Sequence, residues 1–200
     1  MVDGIYEMTP EQIAPALEET YLLERLVDDL RTLTLAESGR LRFDMRPVQV
    51  ADVAARVVDV FQAQAAERHI GLTLDAPAAV PLVTADPQRL EQIVGNLVDN
   101  GLRYTPSGGQ VRLAISRTAA GVELSVSDTG PGVPPDEVDR VFDRFWRGEK
   151  SRARSAGGAG LGLAIVRQLV EAQGGRARAA SPPGQGFEIV IAFPCAEPAG

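Results

Sequence analysis

The sequence predicts an α+β fold, a two-layer α/β sandwich preceded by one long N-terminal helix. Three observations carry that expectation. Apolar residues recur at three- and four-residue steps from Ile13 to about Ala36, most clearly Leu23, Leu26, Leu30 and Leu33, a period that belongs to a helix. Two pairs of alternating segments, 111–116 with 122–127 and 176–180 with 187–193, are each joined by a short glycine-containing turn, as β-hairpins are. Helical patterns at 51–68, 87–104 and 161–172 fall between the strands, so helices and a mostly antiparallel sheet must share one core.

Along the chain, Thr9-Pro10-Glu11 opens the first helix with an N-cap, a proline at the first helical position and an acid in the first turn. Leu22 and Val27 widen its stripe to the breadth of a bundle helix, and Ser38-Gly39 ends it. Residues 1–40 thus form one unit and 41–195 another, with 196–200 as a tail. Segment 43–50 reads as a strand, 51–68 as a helix rich in alanine and valine, and 70–74 as an alternating strand. Asp86-Pro87 starts a helix that runs to about Tyr104. Ala119-Ala-Gly121 turns the first hairpin. Pro134-Pro-Asp-Glu starts a short helix ending near Phe145. An arginine- and glycine-rich stretch follows, with a mobile lid expected over about 143–160. The helix from Leu161 stops at Gly174-Gly175, and Pro183-Gly184 turns the last hairpin.

Composition narrows the function. The chain has 200 residues, 44% of them hydrophobic, enough for a core, and no apolar run approaches the roughly 18 residues of a membrane span. No signal peptide is visible. The single Cys195 fits a reducing, cytoplasmic setting, and the single His69 excludes a histidine-rich metal cluster. A net charge of −7 argues against nucleic acid or an anionic membrane as partner. Yet Arg140, Arg144, Arg147, Lys150, Arg152 and Arg154 gather in one stretch beside glycine-rich turns, which points to a polyanionic ligand.

Asn96 and Asn100 lie four residues apart, one above the other on a helix face. Stacked carboxamides offer oxygens to a hard cation and donors to phosphate. Two glycine turns follow, Asp128-Thr-Gly-Pro-Gly132 and Gly157-Gly-Ala-Gly-Leu-Gly-Leu163. The second opens a helix, and a helix N-terminus is an anion site through its exposed N–H groups and dipole. An asparagine-bearing helix, an Asp-Gly turn and a glycine loop, in that order, indicate a nucleotide site.

These motifs resemble the ATP-binding catalytic domain of bacterial two-component sensor histidine kinases, in the superfamily shared with gyrase, Hsp90 and MutL. Glu91-Gln-Ile-Val-Gly-Asn-Leu-Val-Asp-Asn-Gly-Leu-Arg-Tyr-Thr-Pro is similar to the N box, and Asp128-Thr-Gly-Pro-Gly to the first glycine box. Phe142-Asp-Arg-Phe-Trp-Arg147 resembles the F box and Gly158-Ala-Gly-Leu-Gly-Leu the second glycine box. Leu22-Leu-Glu-Arg-Leu-Val-Asp-Asp-Leu30 resembles the second helix of the dimerisation bundle. The resemblance implies the Bergerat fold, with ATP and Mg²⁺ as cofactors bound between the N-box helix and a lid.

It implies residue roles as well. Asn100 is the Mg²⁺ ligand. Asn96 stands where hydrolysing relatives carry a glutamate base, and an amide cannot abstract a proton from water, which favours transfer to a protein acceptor. Arg103 reaches toward phosphate and Tyr104 packs on the nucleotide. Asp128 accepts from the adenine amino group while Gly130 and Gly132 let the backbone approach. Gly158, Gly160, Leu161 and Gly162 present amides to the phosphates, and Arg147 stands near the terminal one. Phe142, Phe145 and Trp146 pack to anchor the lid. His69 lacks an acceptor context and is structural, so the acceptor histidine belongs to a bundle helix absent from this sequence and the chain does not label itself.

Ala159 replaces the usual threonine of the second glycine box. The last glycine motif is contracted to Gly184-Gln-Gly-Phe, and no ligand contact is assigned to it. The expected function is a protein-histidine kinase domain that moves the γ-phosphoryl of Mg·ATP to that histidine for relay to a response regulator receiver domain, with a homodimer through residues 9–37. A gyrase- or Hsp90-type ATPase and a nucleotide-sensing module without transfer are the alternatives.

Overall fold

The computed structural model describes residues 10–148 and 159–196. The elements are α1 (Pro10–Glu37), β1 (Arg46–Val48), α2 (Val50–Glu67), β2 (Gly71–Asp75), β3 (Val83–Ala85), α3 (Pro87–Tyr104), β4 (Gln110–Thr118) and β5 (Gly121–Asp128). A 3-10 helix (Val138–Phe142), α4 (Gly162–Ala172), β6 (Arg176–Ala180) and β7 (Phe187–Phe193) complete them.

Five strands form one sheet in the order β2-β4-β5-β7-β6, and β1 pairs with β3 in a separate ribbon. The β2–β4 pair is parallel and the other pairs of the large sheet are antiparallel. Cross-strand register aligns the inward residues in rows: Leu74, Leu113, Val126, Ile189 and Ala179 form one, and Leu72, Val111, Asp128 and Phe187 the next. Helices α2, α3 and α4 cover that face. Leu90, Ile93, Leu97 and Leu102 of α3 are fully buried, as are Ile165 and Leu169 of α4. Each side chain of this size contributes about 1.5–3 kcal/mol by leaving water.

The expected α+β sandwich behind a long helix is what forms, with four local differences. The strand expected at 43–50 shrinks to Arg46–Val48 because α2 already begins at Val50. Strand β3, at Val83–Ala85, has only three residues, too few for alternation to register. The helix expected to end near Phe145 is a 3-10 turn ending at Phe142. At the C-terminus, Cys195 bridges to Val83, and the Ala196 N–H donates to the Leu82 carbonyl at 2.8 Å.

Helix α1 ends where Gly39 takes φ 64°, and the N–H groups of Arg40 and Leu41 both donate to the Leu35 carbonyl. Its last turns lie against α4, with Leu33 and Ala36 buried and Leu26 partly buried on the core. The leucine stripe therefore divides. Leu23, Val27 and Leu30 remain 62%, 64% and 46% exposed. Among the described residues no helix is long and apolar enough to cross a membrane.

One buried polar knot ties the helices together. Asp86, at the N-cap of α3, accepts from the N–H groups of Gln88 and Arg89 through Oδ1 and from Asp44 through Oδ2, at 2.9–3.1 Å. Its own N–H donates to Oε1 of buried Gln173, just after α4. Asp86→Ala leaves three donors without that acceptor, so we expect a loss of about 2–3 kcal/mol. Urea denaturation should show the midpoint falling with the slope unchanged; an unchanged midpoint would mean that water replaces the carboxylate.

Candidate functional site

The site is assembled around the polar side of α3. Asn96 and Asn100 lie on it, both half-buried, while Ile93, Leu97 and Val98 face the core. The N-terminus of α4 meets this face: a Cβ built on Gly162 would stand 4.0 Å from the Asn96 carboxamide carbon. No side chain caps that helix start. The Leu161 side chain is buried in the core. Arg103 ion-pairs with Asp99 at 2.9 Å, with both side chains mostly buried. The Tyr104 carbonyl faces Gly130, where an added Cβ would come within 2.9 Å of it.

Asp128 occupies an inward position of β5, in the row otherwise formed by Leu72, Val111 and Phe187. Alternation along Val122, Leu124, Val126 and Asp128 puts a carboxylate where the core expects an apolar side chain. Burial pushes its pKa up from 3.8 to about 6, although the backbone N–H groups of Gly130 and Phe187 favour the charged form. The Gly130 N–H donates to Oδ1 at 2.8 Å. Any larger residue at 130 would bring its Cβ within 2.7 Å of that same oxygen. Gly186 sits on the other side, at φ 83°, and a Cβ there would lie 1.8 Å from the Asp128 carbonyl oxygen. Only glycine fits between β7 and the end of β5.

Sequence reasoning named the motif that holds Gly186 but assigned it no contact, and it did not single out Ser181, which lies close by in space. Their signal was the Gly-x-Gly at 184–186, whose contact with Asp128 spans more than fifty residues of chain.

Residues 85–197 match the family of histidine kinase-, DNA gyrase B- and HSP90-like ATPases. The chain belongs to that family. It is 38% identical over 192 residues to the signal transduction histidine-protein kinase BaeS of Escherichia coli, covering 96% of this chain and 41% of that protein. It is 33% identical over 202 residues to the sensor histidine kinase WalK of Bacillus subtilis, covering 98% of this chain and 33% of that one. The chain thus spans less than half the length of these relatives. Among solved structures, the histidine kinase AdeS of Acinetobacter baumannii superposes with a TM-score of 0.80 at 25% identity, over 98% of this chain and 89% of that one. Full-length ShkA in complex with AMPPNP gives 0.81 at 33% identity, over 97% of this chain and 41% of that one.

Within this histidine kinase-type ATPase domain, the F-box segment is partly as expected. Phe142 is buried, with the Arg167 guanidinium 5.8 Å from its ring centre, and Trp146 packs on the core. Phe145 does not pack: it is 62% exposed at φ 59°, and its N–H donates to the Gly160 carbonyl at 2.9 Å. That bond brings together the two described ends of the expected lid. Arg147 follows, half-buried. Gly158 and the rest of 149–158 lie outside the described residues. Arg144 ion-pairs with Glu37 at the end of α1.

His69 takes a left-handed conformation just past α2, donating its N–H to the Ala66 carbonyl and accepting the Gly108 N–H, a helix-ending role. Two surface clefts, of 520 and 400 Å³, run between α2 and α3, the second reaching Asn96 and Asp99. Neither is lined by Asp128 or the glycine turns.

The raised Asp128 pKa has a stability consequence of defined sign. The folded carboxyl holds its proton up to about pH 6, whereas the unfolded one releases it near 3.8, so Asp128 costs stability above pH 6 and that cost vanishes as pH falls. Asp128→Asn should be more stable than the wild type at pH 7, by on the order of 2 kcal/mol, with the gap closing by pH 4. Urea melts of both proteins at the two pH values check this; an equal gap at both would assign the difference to packing.

Proposed function

We propose that this domain binds Mg·ATP between α3, the Asp128–Gly132 turn and the start of α4. It would transfer the γ-phosphoryl to a histidine on a bundle helix supplied by another segment, for relay to a response regulator receiver domain. The observation that supports this most is the buried Asp128 carboxylate, backed by glycine on both sides, beside a helix that carries Asn96 and Asn100 and sets Asn96 against the N-terminus of α4. A carboxylate in that position is an acceptor held for a donor such as an adenine amino group. Gly130 and Gly132 would let the base approach the backbone, with Tyr104 beside it.

On the phosphate side, Gly162 lies against Asn96, and the uncapped start of α4 at Gly160–Gly162 suits an anion. Among the described residues no three His, Cys, Asp or Glu side chains gather to hold a metal. A cation here would rest on the Asn100 carboxamide oxygen, phosphate oxygens and water, the ligand set Mg²⁺ prefers. When bound, Mg²⁺ would screen the phosphate charge. Arg103, one turn after Asn100, and Arg147 would add positive charge. Gly158 would complete the glycine loop. Asn96 offers an amide and no base, so the site would position ATP for a nucleophile brought from outside and not activate water. Leu23, Val27 and Leu30 of α1, exposed on one side, would meet the helices of the bundle, with a homodimer through residues 9–37.

Two tests follow from these roles. Asn100→Ala should weaken ATP binding about tenfold or more in Mg²⁺ and far less in EDTA, measured by calorimetry. Equal losses in both would remove Asn100 as the ligand. The wild-type chain should associate in sedimentation velocity and the Leu23→Glu, Val27→Glu variant should run as monomer, because charge on the exposed side blocks helix association. A wild type that stays monomeric at high concentration would contradict the association surface.

A further inference from the structure

We infer that Ser181 is the residue that sets the base side of the nucleotide site, its hydroxyl lacing the turn after Asp128 to the turn before β7 so that the Asp128 carboxylate is held where adenine meets it. The inference rests on the nucleotide reading above and adds to it a positioning residue outside every motif that reading used.

The geometry is a closed chain of contacts. Ser181, the first residue after β6, is half-buried. Its Oγ accepts the Val133 N–H at 2.8 Å and donates to the Gly186 carbonyl at 3.0 Å. A serine hydroxyl has one donor to give, and here it goes to Gly186 at the far end of the β6–β7 turn, while the bond accepted from Val133 reaches the turn after Asp128. Gly132 lies in the same junction: a Cβ there would come within 2.6 Å of the Ser181 Oγ and 2.8 Å of the Gly186 carbonyl oxygen. Gly186 in turn rests on the Asp128 carbonyl, with no room for even one carbon between them. Phe187, the next residue, pairs with Asp128 at the end of the β5–β7 ladder and supplies an N–H that favours its charged form.

Ser181 therefore grips both ends of the segment that shapes the base side. It holds Val133, past the glycines of the Asp128–Gly132 turn, and it holds Gly186, behind Asp128 itself. Removing the hydroxyl leaves the Val133 N–H and the Gly186 carbonyl without this partner, and the two turns lose the link that fixes their separation. The effect should fall on recognition of the base more than on the phosphates, because both hydrogen bonds of the Ser181 hydroxyl go to the turns around Asp128, at Val133 and Gly186, and neither goes to the start of α4 or Asn100. Small displacements of a positioned group carry large losses in recognition.

The test compares Mg·ATP with Mg·ITP, which carries an oxygen where adenine carries the amino donor. Calorimetric titrations of the full chain, well below its melting temperature, are made for the wild type, Ser181→Ala and Ser181→Thr. The wild type should prefer ATP. Ser181→Ala should lose about tenfold in ATP affinity with ITP changed far less, so that discrimination narrows, and Ser181→Thr, which keeps the hydroxyl, should restore both. If the alanine variant does not fold, Ser181→Cys keeps the volume with a much weaker donor and serves the same comparison. Equal losses for both nucleotides, or unchanged ATP affinity, would overturn the positioning role while leaving the nucleotide site standing. A wild type that binds neither nucleotide would overturn the nucleotide reading and this inference with it.

Discussion

A carboxylate on the apolar face of a β-sheet is the constraint around which this domain is arranged. Alternation along β5 leaves Asp128 no other side to face, and the neighbouring strands place Leu72, Val111 and Phe187 in its row. Burying a charge there is unfavourable unless donors meet it, and the two backbone N–H groups only partly offset the burial. The glycines follow from the same constraint. Gly130 and Gly186 press on the carboxyl and the carbonyl of one residue from two sides, so the turn after β5 and the turn before β7 must be built together. A buried carboxylate whose pKa is pushed up by its surroundings is the kind of group that marks a candidate functional site.

The helices are organised by a second buried carboxylate at the opposite end. Asp86 starts α3, and its backbone donates to Gln173 at the end of α4, while Asp44 in the segment leaving α1 donates to the same carboxyl. The remote ends of α3 and α4 are thereby fixed to each other and to the connection from α1. Their other portions, Asn96 on α3 and Gly162 on α4, converge at the candidate phosphate side. The burial of Leu33 and Ala36 on the same α4 and the Arg144–Glu37 ion pair bring α1 into this frame. An exposed ion pair adds little energy, so the apolar contact is the one that matters there.

How much of this was legible in the sequence depended on how local the signal was. The span of α3 could be read residue by residue because Asp86-Pro87 is an N-cap and first-position pair and because its apolar period is strong. Both hairpins were legible from alternation and their turns. Strand β3 was not, since three residues cannot display a period. Nor was the parallel β2–β4 pairing, which alternation does not specify. The leucines of α1 announced a bundle helix but not which of them would cover α4. In the candidate site, Asp128, Gly130 and the two asparagines could be singled out from the order of their motifs and from the family resemblance. Ser181 and Gly186 could not, because their meaning lies in contacts with residues about fifty positions away. Phe145 misled for a physical reason: an aromatic beside Phe142 and Trp146 suggests packing, yet its left-handed backbone and bond to Gly160 turn it outward.

On the proposed reading, one nucleotide occupies the space between α3, the Asp128 turn and the start of α4. Amide NMR of the labelled chain during titration with Mg·AMPPNP tests it residue by residue. Saturable shifts are expected at Asn96, Asn100, Gly130, Gly132 and Gly160–Gly162 at one equivalent, with Arg46–Val48 and Val83–Ala85 unchanged. Shifts confined to the α2–α3 clefts around Val57, Phe61 and Gly95, or none at saturating ligand, would contradict it.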